Sequence, residues 1–232
     1  MSQIEKNLEA VGGRISEACR RAGRPAEGVR LVAVSKTHPF DAVREAWDCG
    51  QRVFGESRVQ EALAKIPLLP SALEWHFIGH LQTNKIRRAL PCFSLFHGVD
   101  NSEAARQMDR IAAETGAYPR VLLEVNVSGE GTKFGFSPAR LREEFDSLLA
   151  LPRLQVAGLM TIAPYDADPE KSRPFFAALR ELRDEMERRG GVPLPELSMG
   201  MSGDFEPAIA EGATIVRVGS AVFGERPRKD AA

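Results

Sequence analysis

The chain has 232 residues, 43% hydrophobic and 27% charged, and its 31 basic and 32 acidic residues leave a net charge of -1. That balance suits a soluble globular protein with a sizeable core, and it supplies no global field for nucleic acid or an acidic membrane surface. Cys19, Cys49 and Cys92 are odd in number and far apart, which argues against a disulfide framework or zinc site and for a reducing compartment.

The N-terminal stretch MSQIEKNLEAVGGRI lacks the apolar centre of a secretory signal and reads as a helix over residues 2–23. No segment is apolar for long enough to span a bilayer. No long apolar stripe is left over for self-association. A cytoplasmic monomer is therefore expected.

The first strand is VRLVAVSK (29–36), an apolar β-branched run of the kind buried in parallel sheets. A helix follows at 39–50, opened by Pro39 and stopped by Gly50. The pattern then alternates. Strands are expected at 51–56, 74–79, 94–100, 120–128, 154–163, 195–201 and 214–224, with helices at 57–66, 81–90, 101–116, 137–151, 168–190 and 203–212. Eight strands alternating with helices predict an α/β fold, a (β/α)8 TIM-like barrel with an extra N-terminal helix, as one domain over residues 1–232. A doubly wound sheet also alternates, but with fewer strands.

Strand parity sorts the side chains. Val32, Val34 and Lys36 share a face, as do Leu122, Glu124 and Asn126, and Ile215, Arg217 and Gly219. His76 and Ile78 oppose Trp75 and Phe77. Several strands thus aim polar groups into one lumen, which is costly unless those groups are paired or bind a ligand.

A lysine at a strand end is ordinarily a solvated gatekeeper. At the C-terminal end of a barrel strand, where such barrels build their sites, Lys36 instead reads as a desolvated amine able to condense with an aldehyde. In LSMGMSGDFEP, the residues Ser198, Gly200, Ser202 and Gly203 crowd the end of strand seven, just before a helix. Gly219 and Ser220 stand at the end of strand eight. Small residues and hydroxyls at these two strand ends suit a phosphate, although either alone reads equally well as a tight turn. An amine facing a phosphate cradle fits a sugar-phosphate aldol substrate or pyridoxal 5'-phosphate (PLP). A lumenal Arg217 favours PLP, with the guanidinium against the pyridine nitrogen; the plain alternative is a salt bridge to Glu124. GEGTKFGF (129–136) lacks Walker spacing and reads as a loop over the site. His76 and His80 do not share a helix face, so a zinc pair is not expected.

Together LVAVSKTHP, VFGESRVQEAL, WHFIGHLQTNKIR, VNVSGEGTKFGF, GLMTI and LSMGMSGDFEPAIAEGATIVRVGSAVFG closely resemble the PLP homeostasis protein family, related to alanine racemase N-terminal domains. The resemblance spans nearly the whole chain. It implies PLP held as a Schiff base on Lys36, phosphate contacts from Ser202, Gly219 and Ser220, and Arg217 at the pyridine nitrogen. Gly200, Met201, Met160 and Ser57 join them as implied cofactor-binding residues. No catalytic residue and no metal is implied. Such proteins maintain PLP and amino-acid balance, with apo-PLP enzymes as the partners that receive cofactor. Where the family has FGEN this chain has FGES. Ser57 is shorter than asparagine, so a water in the gap and a slightly weaker hold are expected. A PLP-dependent amino-acid racemase or related PLP enzyme of low activity is the alternative. A racemase needs a second proton-transfer group, and neither Tyr118 nor Tyr165 lies in the context that alanine racemases use. A Schiff-base aldolase without cofactor is a third reading.

Overall fold

The computed structural model describes residues 1–131 and 133–225. Thr132 of the GEGTKFGF loop and residues 226–232, which the one-domain expectation includes, lie outside the described residues. Eight parallel strands close into a barrel in sequence order. They are β1 Arg30–Val34, β2 Val53–Glu56, β3 Glu74–Phe77, β4 Leu95–Val99, β5 Arg120–Glu124, β6 Gln155–Met160, β7 Glu196–Ser198 and β8 Ile215–Val218. Closure is made by β8 on β1, with Arg30 opposite Ile215 and Ala33 opposite Val218.

The helices are α1 Gln3–Arg21, α2 Phe40–Asp48, α3 Val59–Lys65, α4 Ile86–Ala89, α5 Ser102–Thr115, α6 Pro138–Leu149, α7 Arg173–Gly190, α8 Phe205–Ala210 and α9 Ser220–Phe223. The extra helix α1 starts at a capping box. Ser2 Oγ accepts from Glu5 N–H at 3.1 Å, and Ser2 N–H donates to Glu5 Oε2 at 3.0 Å. It ends on Arg20 and Arg21, which suit the negative end of the helix dipole. Asn7 Nδ2 donates to Val222 O at 2.8 Å, and Arg24 Nη1 to Ile209 O at 2.7 Å, so α1 is tied to the α8 and α9 side of the barrel.

The two-residue period of the strands makes two cores. Ala33, Phe54, Trp75, Phe77, Phe96, Leu123, Leu159, Leu197 and Val216 face outward into the layer under the helices. Their neighbours Val32, Val53, Leu95, Leu122, Ala157, Met160 and Ile215 pack against one another inside the barrel, with Ile78 above them. Burying each of the larger ones contributes about 1.5–3 kcal/mol. The lumen is a packed plug. At the β6–β7 contact Gly158 is required by space: a Cβ there would stand 1.9 Å from Glu196 O.

Several elements are shorter than expected, three of them with a visible consequence. β5 ends at Glu124, because Asn126 turns into the following loop; its Nδ2 donates to Glu130 O at 2.8 Å and its Oδ1 accepts from Gly129 N–H at 3.0 Å. Asn126 therefore ties the loop together instead of extending the inward row. β8 stops before Gly219, and the expected strand end 220–223 is the helical turn α9. In 81–90 only Ile86–Ala89 is α-helical, after a tighter turn at Thr83–Lys85.

Candidate functional site

The C-terminal ends of the strands form the mouth of the barrel. A cavity of about 280 Å³ there is lined by Lys36, Met201, Ser202, Arg217, Gly219 and Ser220, all expected from the sequence. Val34, His38, Ile78, Ile162, Gly203 and Gly224 complete the lining. Val34 and Ile78 were legible in the parity that marked Lys36 and His76. His38 had no such signal; its ring packs against Phe223, 5.1 Å between centroids.

Lys36 lies two residues beyond β1, half-buried, between two anchored neighbours. Ser35 Oγ donates to Glu56 Oε1 at 2.8 Å, and Ser35 O accepts from Lys65 Nζ at 2.8 Å. Thr37 N–H donates to Glu61 Oε1 at 2.5 Å. Lys65 joins both carboxylates, at 2.8 Å from Glu56 Oε1 and 2.7 Å from Glu61 Oε1. Burial pushes the Glu56 carboxyl up, and Lys65 and Ser35 pull it back. Thr37 has φ 69°, the one left-handed non-glycine conformation among the described residues. Such a residue costs about 1–3 kcal/mol unless its surroundings hold it. The Glu56–Lys65–Glu61 cluster holds it.

Across the mouth the contacts are made by one hydroxyl and one carboxylate. Ser202 Oγ accepts from the Gly219 and Ala221 N–H groups, both at 3.3 Å. Met201 N–H donates to Asp204 Oδ1 at 2.6 Å. Among the described residues, the N–H groups of Gly203 and Ser220 have no acceptor. The small residues at the ends of β7 and β8 thus leave backbone donors facing the cavity, an arrangement suited to an anion.

Arg217 forms the cavity's inner wall and is 4% exposed. Its Nη1 donates to Ser198 Oγ at 2.5 Å and its Nη2 to Thr161 O at 2.9 Å. The alternative expectation of a salt bridge to Glu124 is not what holds it: a hydroxyl and a carbonyl do. Burial lowers the Arg217 pKa to about 10, against the attraction of Glu124 and Asp204, and it stays cationic at neutral pH. Glu124 is pushed up to about 7, first by burial and then by Asp100. Asp100 Oδ2 meets His80 Nδ1 at 2.6 Å, and the His80 ring stacks on Phe134 at 4.6 Å and 16°. The 129–136 loop thereby walls an adjoining cavity of about 180 Å³ with Glu124, Asn126, Lys133 and Phe134, and that cavity shares Ile162 with the first.

Three expected residues lie apart from the Lys36 cavity. Met160 is in the apolar plug. Gly200 has φ 91°, and a Cβ there would lie 2.7 Å from Ala208 Cβ, so it serves the packing of β7 on α8. Ser57 lines a neighbouring cavity with Arg58, Gln82 and Lys85. Ser198, noticed only as part of the small-residue cluster, and Thr161 are the partners of Arg217. His76, weighed as a zinc ligand, instead bonds Glu74 and His97.

A family model described as alanine racemase, N-terminal domain, matches residues 7–227. A pyridoxal phosphate homeostasis protein of Aquifex aeolicus (strain VF5) is 50% identical over 222 residues, 95% of this chain and 97% of that protein. The bovine (Bos taurus) protein of that name is 42% identical, over 94% of this chain and 86% of its own. PipY of Synechococcus elongatus PCC7942, solved with PLP bound, superposes with a TM-score of 0.83 at 42% identity, covering 96% of this chain and all of that one. Alanine racemase of Clostridium difficile 630 shares the fold, with a TM-score of 0.74 at 16% identity; the alignment takes in all of this chain and 59% of the racemase. Barrel, mouth cavity and relatives agree, and the chain belongs to the pyridoxal phosphate homeostasis proteins of the alanine racemase N-terminal domain family.

Proposed function

We propose that this protein binds PLP at the barrel mouth, tethers it through Lys36, and serves PLP and amino-acid homeostasis as a carrier without strong catalysis. The observation that carries this is the convergence of an amine, unpaired backbone donors and a buried cation on one cavity. These groups fit the cofactor. The Gly203 and Ser220 N–H groups and the Ser202 hydroxyl would hold its phosphate. Arg217 would donate to its ring nitrogen and, being cationic, disfavour protonation there. Bound PLP supplies an aldehyde that condenses with an amine and a ring that accepts electron density. With a guanidinium in place of a carboxylate at the nitrogen, that ring is a weak electron sink, which suits carriage over turnover.

The relatives support the same reading. PipY was solved with PLP, and the curated relatives carry the homeostasis name. A racemase would need a proton-transfer group opposite Lys36. Tyr118 is engaged by Arg153 at 4.6 Å, and Tyr165 is 96% exposed, so neither takes that place. The carrier reading also takes apo-PLP enzymes as recipients.

Purified protein mixed with PLP should gain a visible absorbance band, and borohydride reduction should add the cofactor's mass to the Lys36 peptide. Lys36→Ala should abolish both. A colourless protein that cannot be reconstituted would defeat the reading, and alanine racemisation at the rate of a dedicated enzyme would defeat its carrier half.

A further inference from the structure

A line of buried polar groups runs through the barrel beneath the cavity. Arg217 Nη1 reaches Ser198 Oγ at 2.5 Å; His97 Nδ1 lies 2.8 Å from the same oxygen. His97 Nε2 is 3.0 Å from His76 Nδ1, and His76 Nε2 is 3.0 Å from Glu74 Oε1. Ser198, His97 and His76 are each 0% exposed. Glu74 is the first residue of β3, so it stands on the N-terminal rim, with its side chain 40% exposed. The line therefore joins the cavity to solvent at the opposite end of the barrel.

Its ends fix the direction of every proton. A guanidinium only donates and a carboxylate only accepts. Ser198 Oγ receives from Arg217 on one lone pair and, with His97 Nδ1 bare in the neutral ring, gives its single proton to that nitrogen. His97 then carries its proton on Nε2 and gives that bond to His76 Nδ1. His76 in turn carries its proton on Nε2 and donates to Glu74. Both imidazoles must be neutral for this pattern. Burial lowers both, His97 further because His76, Arg217 and Arg30 also oppose a positive charge there. At the rim, Ser94 Oγ adds a second bond to Glu74 Oε1 at 3.0 Å. Arg30 and Arg120 are taken up by Glu196, at 3.4 and 3.6 Å.

We propose that Ser198, His97, His76 and Glu74 are positioning residues for Arg217: a one-way hydrogen-bond line that holds the guanidinium in place as a donor toward the ring nitrogen of the bound cofactor. The inference rests on the PLP reading above. Each group polarises the next, and Glu74 gives the line a fixed negative end, in addition to the attraction of Glu124 and Asp204 for the guanidinium. A barrel filled only for packing would place aliphatic side chains at these positions, as it does at Val32, Leu95 and Leu122.

The test compares two ligands, PLP and its analogue with carbon in place of the ring nitrogen. The first variant is Glu74→Gln, on the half-exposed rim where folding is least at risk. His97→Phe cuts the line, and His97→Gln keeps one acceptor and one donor. His97→Phe should weaken PLP binding about tenfold, the worth of one charge-assisted hydrogen bond, and shift the visible band of the bound cofactor. Glu74→Gln should weaken it by a few-fold, and His97→Gln should restore most of the loss. Affinity for the carbon analogue should stay within about twofold of the unmodified protein in all three, because that ligand offers Arg217 no acceptor. Equal losses for both ligands would reduce the line to packing and overturn the proposal. So would unchanged PLP affinity in folded His97→Phe. If the unmodified protein binds neither ligand, the cofactor reading itself falls, an outcome distinct from both.

Discussion

The two sides of the barrel mouth are built from different materials. On the Lys36 side three charged groups hold the residues immediately before and after the amine: Glu56 the Ser35 hydroxyl, Lys65 the Ser35 carbonyl and Glu61 the Thr37 N–H. On the Ser202 side a single hydroxyl receives two backbone donors, and neighbouring N–H groups stay unpaired. The difference follows from the task of each side. A reactive amine needs a fixed Cα, and its neighbours Ser35 and Thr37 carry that restraint. An anion site needs donors left over, so its restraint must consume as few of them as possible. Rigidity is placed beside the one group and withheld around the other.

The comparison breaks most sharply at Lys65. Lys65→Met leaves Glu56 buried without its cation and should destabilise the fold by about 3–5 kcal/mol, read by urea denaturation. The corresponding cut on the Ser202 side, Ser202→Ala, should leave stability within about 1 kcal/mol, because its hydrogen bonds are long and partly exposed. Equal costs on the two sides would abolish the contrast.

Glu124, at the end of β5, is buried, and burial raises its pKa to about 7. A raised acid favours the folded state below its unfolded pKa and loses that contribution as pH rises. Stability should therefore fall by on the order of 2–3 kcal/mol between pH 4.5 and 7, and Glu124→Gln should flatten that part of the profile. Ser202→Ala should also cost about tenfold in PLP affinity, measured by titration of the visible band, with Lys36 still labelled on reduction. The smallest effect is expected at Thr37. Thr37→Gly relieves the left-handed backbone but frees the unfolded chain, so a stability change within about 1 kcal/mol is expected, with slower labelling of a less fixed Lys36.

Much of this was legible in the sequence because barrels are periodic. Alternation along VRLVAVSK and TIVRVGS put Lys36 and Arg217 in the lumen, and the small residues of LSMGMSG and VGS marked the anion side. What stayed hidden depends on pairing between distant strands. Parity turns Ser198 inward, but only the register of β7 beside β8 makes it the partner of Arg217. His76 shows in the sequence only as a side chain sharing a face with Ile78, and His97 carries no signal there; the barrel brings the two within 3.0 Å. The brace around Lys36 was missed for another reason. Glu56 and Lys65 sit in a strand and a helix whose charged residues usually face water, and their burial follows from the helix folding back onto the strand. Asn126 misled because a strand pattern does not reveal where its side chain finds a better partner in a loop.

The apolar plug of Val32, Val53, Leu95, Leu122, Ala157, Met160 and Ile215 has a kinetic consequence. It makes the mouth cavity a cul-de-sac. A newcomer cannot push an occupant out from behind, so exchange is sequential: one guest leaves by the doorway before another enters. Ile162 and Met201, 39% and 38% exposed, stand at the doorway, which makes residence time a property of the rim as much as of the grip within.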